Sequence, residues 1–130
     1  MGRDDGVAEE LALKTCEIVR RPAQFLEGTY AVHGVEEVMS EDDVVVVVDP
    51  LPGTEQKLLD VLSHGVGATL VAISTEPTPF PTIMIPNVPE WKEYLLLAAG
   101  WNLLVEAGIR NDIDLDRPVR ARKVGNAVDE

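Results

Sequence analysis

The stretch Val44-Val45-Val46-Val47-Val48, followed at once by Asp49-Pro50-Leu51-Pro52-Gly53-Thr54-Glu55, decides the fold. Five β-branched residues in a row pack well on a pleated surface, and a strand that is apolar on both faces needs cover on both. A surface strand would alternate apolar with polar residues instead. The valine run therefore predicts a strand of a parallel sheet covered by helices. The prolines and Gly53 turn the chain, and Thr54 is placed to cap a helix running to about His64, which Gly65 and Gly67 close.

Towards the C-terminus, Thr69 to Ser74 reads as a second strand and Thr82 to Ile85 as a shorter third, joined by the proline-rich loop Pro77 to Pro81. A long helix is expected from about Glu90 to Ala107, with Pro89 near its first turn and Gly108 past its end. Its middle, Tyr94 to Val105, is apolar nearly all round and calls for cover on more than one side. Towards the N-terminus, Val7, Ala8, Leu11, Ala12, Ile18 and Val19 fall at helical spacing until Pro22 ends the run. A short helix and a loop carrying His33-Gly34 follow, up to Met39. Strands alternating with helices point to an α/β fold: a three-layer αβα sandwich around a parallel, flavodoxin-like sheet.

The 130 residues fit a single domain spanning 1–130, with 111–130 as a polar C-terminal arm that carries Pro118, Arg117, Arg120, Arg122 and Lys123. A formal charge of −12 argues against a nucleic-acid partner, whose phosphates would repel the chain. No membrane span is expected, because Gly100 and Asn102 interrupt the most apolar stretch and it is too short. The acidic N-terminus does not read as a secretory signal, and the single cysteine, Cys16, cannot form an internal disulfide. A cytoplasmic protein is the expectation. Two histidines and one cysteine supply no recognised metal-ligand spacing, and the glycine fingerprints of dinucleotide and phosphate loops are missing, so no metal or cofactor is expected.

Four positions carry the candidate chemistry. Lys14 and Glu17 belong to a helical series Glu10, Lys14, Glu17 and Arg21, whose spacing is also that of a ladder of solvated ion pairs. His33 lies in a glycine-containing loop, where it could equally stabilise a turn. Lys123 stands close to Arg120 and Arg122 and could belong to a basic patch. Cys16 reads as a small core residue and His64 as a partner for the last carbonyls of its helix.

Several pieces, in order, resemble the sugar-isomerase (SIS) domain family in the form of the second isomerase subdomain of glucosamine-6-phosphate synthases. Gly2-Arg3 resembles the turn after that subdomain's first strand. The segment Glu10-Leu11-Ala12-Leu13-Lys14-Thr15-Cys16-Glu17-Ile18 resembles the family helix with its leucine-lysine-x-x-glutamate motif. His33-Gly34 resembles the histidine-glycine-proline motif, with Val35 in place of proline, sixteen residues beyond Glu17. Asp112 to Pro118 resembles the family's aspartate-rich approach to a proline, and Lys123-Val124 its final lysine motif.

The resemblance implies a phosphosugar isomerase-type domain that acts on or binds a ketose or aldose phosphate such as fructose 6-phosphate. It implies catalytic roles for Glu17 (proton shuttle), Lys14 (its assistant), His33 (ring opening, delivered to a neighbouring subunit) and Lys123 (imine formation). The implied partners are a sugar phosphate and either a second copy of the chain or a chain carrying another SIS domain. Two departures accompany it. The family's first strand would precede Gly2-Arg3, so the sheet is expected to lack it. The family's hydroxyl-rich phosphate loop has no counterpart either: the segment from Asp49 to Glu55 offers only Thr54, beside two carboxylates. A non-catalytic SIS module, for sugar-phosphate binding or dimerisation, is the alternative.

Overall fold

The computed structural model of the chain describes residues 5–120; the Gly2-Arg3 turn and Lys123 lie outside them. Three strands form one parallel sheet in the order β1-β2-β3: β1 (Val44–Val48), β2 (Thr69–Ser74) and β3 (Thr82–Met84). Val46 pairs with Val71 and Val48 with Ile73, while Ile73 pairs with Ile83. The β-branched run thus lies where its composition places it, and its alternation separates two cores. Val47, Leu70 and Ala72 point into one, with Ala31, Val32, Leu58, Leu62 and Phe80. Val48, Ile73 and Ile85 point into the other, with Ala8, Leu11, Leu96 and Leu104. This is the three-layer α/β sandwich the sequence predicts.

The first helix, α1 (Asp5–Lys14), continues into a wider π-helical turn, Thr15–Val19. Arg20 then adopts a left-handed conformation at φ 55° and ends it, two residues before Pro22. His33-Gly34 sits between two 3-10 turns, Tyr30–Val32 and Val35–Val38, with Gly34 at φ 106°, where a side chain would be strained. The second helix, α2 (Glu55–Leu58), also widens into a π-helical stretch, Leu59–Val66. Gly67 closes it at φ 89°, and the Ala68 N–H reaches back to the Leu62 carbonyl at 2.9 Å. Gly65 lies inside the helix rather than at its end. Thr54 does not cap it as expected: its hydroxyl donates to the Leu51 carbonyl at 2.6 Å and tightens the preceding turn instead.

A 3-10 turn, Pro89–Trp91, leads into α3 (Lys92–Arg110). This helix outruns its expected end because Gly108 is not a stop but a contact point. A Cβ there would stand 2.7 Å from Leu115 Cδ2 and 3.4 Å from the Ile18 carbonyl oxygen. Termination passes to Asn111, whose side-chain amide donates to the Ala107 carbonyl at 2.7 Å, and to Asp112 at φ 55°. Leu96, Gly100, Leu104 and Gly108 form the buried stripe of α3. Gly100 lets α1 approach closely, since a Cβ on it would lie 2.4 Å from Leu11 Cδ1. Full burial of a leucine such as Leu96 stabilises the fold by roughly 1.5–3 kcal/mol.

Candidate functional site

Open parallel sheets collect ligands beyond the carboxyl ends of their strands. Here β1 ends in Asp49, whose side chain is 1% exposed and whose backbone sits at φ 46°. A buried carboxylate demands a partner. Lys92, in the first turn of α3, supplies it through a charge-assisted hydrogen bond to Asp49 Oδ2. The charge that the sequence presents as repelling a bound anion is therefore matched inside the protein.

Just past β1 and β2 lies a cavity of about 130 Å³ lined by Pro50, Pro52, Glu55, Ser74, Glu76, Pro77 and Thr78. Ser74 Oγ accepts the Glu76 N–H at 3.0 Å, and the Thr78 and Thr82 hydroxyls meet at 2.7 Å. Among the described residues, two glutamates line the cavity and no cation does. It suits a neutral hydroxylated group better than a phosphate.

A larger groove of about 400 Å³ runs between α1 and α3, lined by Gly6, Val7, Glu10, Glu93, Tyr94 and Leu97. From its rim the polar ladder of the first helix proceeds towards the π-helical turn. Lys14 Nζ lies 3.7 Å from Glu10 Oε1 and donates to Glu17 Oε2 at 2.6 Å. The hydrogen bond to Glu17 and the charges of Glu17 and Glu10 raise the Lys14 pKa above the ordinary lysine value. Lys14 thus stays an ammonium at neutral pH, fit to hold and polarise an oxygen but not to attack a carbonyl. Glu17 is half-exposed on the widened turn, where the carboxylate can reach solvent or a ligand.

His33 is exposed on the other side of the sheet, its ring Nε2 3.2 Å from the Thr29 hydroxyl. Its flanking turn packs Ala31 and Val32 into the core beneath α2, whereas α1 contributes Ala8 and Leu11 to the opposite core. Lys14 and Glu17 are brought together; His33 is in a different layer of the same chain. None of the three lines either cavity. Lys123 lies outside the described residues, but the arm that leads to it is held: Arg20 Nη2 donates to the carbonyls of Asp114 at 2.7 Å and Arg117 at 2.9 Å.

Two smaller expectations are corrected. Cys16 is exposed rather than in the core, because the π-helical turn shifts the helix phase just before it. His64 pairs with Asp60 at 3.4 Å instead of capping its helix. Sequence reasoning missed Lys92, although a carboxylate directly after a run of valines is itself a signal that a cation must reach it. Among the described residues, no group of three His, Cys, Asp or Glu side chains is arranged to hold a metal ion, and no helix is long and apolar enough to cross a membrane.

No protein-family model matches the sequence, and no curated protein matches it either. Among solved structures, a protein of Salmonella typhimurium LT2 named as a candidate sugar binding protein is similar in fold. It superposes with a TM-score of 0.62 at 19% sequence identity, over 77% of this chain and 32% of that one. This chain accordingly spans about a third of its neighbour's length, and at that identity the likeness shows the fold: a parallel α/β sandwich common to both.

Proposed function

We propose that the chain is a SIS-type, sugar-phosphate-binding domain that interconverts a ketose and an aldose phosphate, such as fructose 6-phosphate and glucose 6-phosphate, within an oligomer. The observation that carries this reading is the 2.6 Å Lys14–Glu17 hydrogen bond on the exposed π-helical turn of the first helix. In the open-chain ketose, Glu17 takes the proton from C1 as the C2 carbonyl becomes an enediolate oxygen, the O1 hydroxyl proton passes to O2, and Glu17 returns its proton to C2 as the O1 electron pair closes the C1 aldehyde. The Lys14 ammonium stands by the oxygen that gains charge, so no net proton is consumed. A fold shared with a protein named for sugar binding supports the ligand class.

His33 acts in this scheme on the ring oxygen in the site of a second subunit, which fits its exposed position in the layer opposite Glu17. Lys123 captures the open ketose as an imine at C2 with release of water, and hydrolysis of that imine returns the C2 carbonyl on which Glu17 acts; Arg20 ties the arm that leads to Lys123 to the end of the Glu17 helix. The test is incubation with fructose 6-phosphate while glucose 6-phosphate is followed: turnover in the wild type and its loss in Glu17→Gln support the reading, and no turnover removes the enzyme claim. The second reading, a non-catalytic module for sugar-phosphate binding or dimerisation, is favoured by the acidic cavity beyond β1 and β2, where no described residue offers a phosphate a cation. It predicts no turnover: thermal stabilisation by hexose phosphates marks a binding module, and an unmoved melting curve leaves only scaffolding. A ligand at a hundred times its dissociation constant stabilises by about 2.7 kcal/mol.

A further inference from the structure

Most of α3 is packed, but one strip of it faces outward. Tyr94, Trp101, Val105 and Ile109 follow one another at intervals of seven, four and four residues, which keeps them on one line of a helix surface. Their exposures are 66%, 43%, 37% and 55%. Trp91, 62% exposed, extends the strip at its N-terminal end, its ring meeting Tyr94 edge to face at 6.3 Å. An aromatic side chain offers 150–250 Å², so the three rings alone leave roughly 300 Å² of open surface. Val105 and Ile109 bring the strip to roughly 400–500 Å², near the upper end for the largest apolar patch of a monomer.

We propose that this strip is the contact between two copies of the chain, packed with their α3 helices antiparallel about a two-fold axis near Trp101. A two-fold contact uses one patch twice, so the strip would bury about 1,000 Å² in total, the lower bound of a specific interface. The arrangement matches the strip's own symmetry. Its midpoint falls between Trp101 and Asn102, so antiparallel pairing sets Tyr94 level with Ile109 of the second copy and brings Trp101 beside its equivalent. The helix dipoles also run in opposing directions.

Ile109 of the second copy stands level with the groove lined by Val7, Tyr94 and Leu97, which offers an apolar recess of about 400 Å³. The net charge of −12 opposes an anionic membrane as the occupant. Between two copies, repulsion is screened beyond about 8 Å at physiological salt, and the strip itself carries no charge. The inference deepens the proposed function and rests on that reading for its purpose, since a second subunit is what would deliver His33.

Light scattering during size-exclusion chromatography of the full chain, without sugar, tests it. The wild type is expected at twice the 14.2 kDa monomer mass, Trp101→Glu and Ile109→Glu at the monomer mass, and Val38→Glu, an apolar surface position elsewhere, unchanged. A monomeric wild type, or a dimer indifferent to both the Trp101 and the Ile109 substitutions, overturns the proposal. Because the readout is mass, its failure leaves the turnover assay untouched, and a failed turnover assay leaves the interface standing.

Discussion

Lys92 at the start of α3 bonds to the carboxylate of Asp49, the residue that follows β1, across 43 residues of sequence, and so fastens α3 to the carboxyl end of that strand. The side chain of Asp49 is almost wholly buried, whereas that of Lys92 is 26% exposed. The two ends of the pair are therefore unequal. Removing the ammonium leaves a buried carboxylate without this partner, while neutralising the carboxylate leaves a lysine that can reach water. Lys92→Met is expected to destabilise by about 3 kcal/mol and Asp49→Asn by clearly less, since asparagine also tolerates the left-handed backbone. Urea denaturation midpoints check this, and equal losses would contradict it.

Gly100 sets the distance between α1 and α3. Gly100→Ala drives a methyl into Leu11 and is expected to cost about 1–3 kcal/mol despite alanine's better helix propensity. Because Leu11 Cδ1, Cδ2 and Cγ would all stand within 3.0 Å of the new Cβ, the Gly100→Ala/Leu11→Ala double variant should lose less than the sum of its single losses. Thermal unfolding of the four proteins closes the cycle; strict additivity would mean that the helices adjust independently of this contact.

The Lys14–Glu17 bond makes a prediction about pH. Hydrogen bonding to Glu17 raises the Lys14 pKa above the value of the unfolded chain. The stabilisation that follows is fully present at neutral pH, below the unfolded value, and disappears as the pH climbs through the higher folded value. Glu17→Gln should return the Lys14 pKa towards the ordinary lysine range, measured by NMR titration of the side-chain amine. If Glu17 is the proton shuttle, the same substitution lowers turnover by about 10²–10⁴.

Arg20 combines a left-handed backbone with a clasp on two carbonyls of the arm. Arg20→Ala loses the clasp and keeps the left-handed strain that Arg20 already bears, whereas Arg20→Gly loses the clasp and relieves about 1 kcal/mol of that strain. Both should speed hydrogen exchange at the Ile113 amide, which donates to the Gly108 carbonyl at 3.1 Å, by about tenfold. The glycine variant should melt above the alanine variant, because it alone removes the strain. Unchanged exchange at Ile113 would show that the arm is held by Leu115 packing on Gly108 instead.

Much of this architecture was legible in the residues because it depends on local pattern. Five consecutive valines form a strand that buries Val47 on one face and Val48 on the other, Pro22 and Gly67 stand at helix ends, and the proline-rich turn after Asp49 separates strand from helix. Where the reading missed, a distant contact had overruled a local signal. Gly108 looked like a stop but serves as a seat for Leu115; Thr54 turned its hydroxyl back to Leu51; Cys16 left the core when the helix widened.

The sequence by itself determined the layered parallel fold and the Lys14–Glu17 adjacency, since both follow from side-chain period and from spacing along one helix. Only the tertiary structure decided that Lys92 answers Asp49, that Arg20 grips the arm, and that His33 lies in the layer opposite Glu17. These relationships join residues tens of positions apart, and nothing in the period of a strand or helix encodes which distant groups its packing will bring within hydrogen-bonding reach.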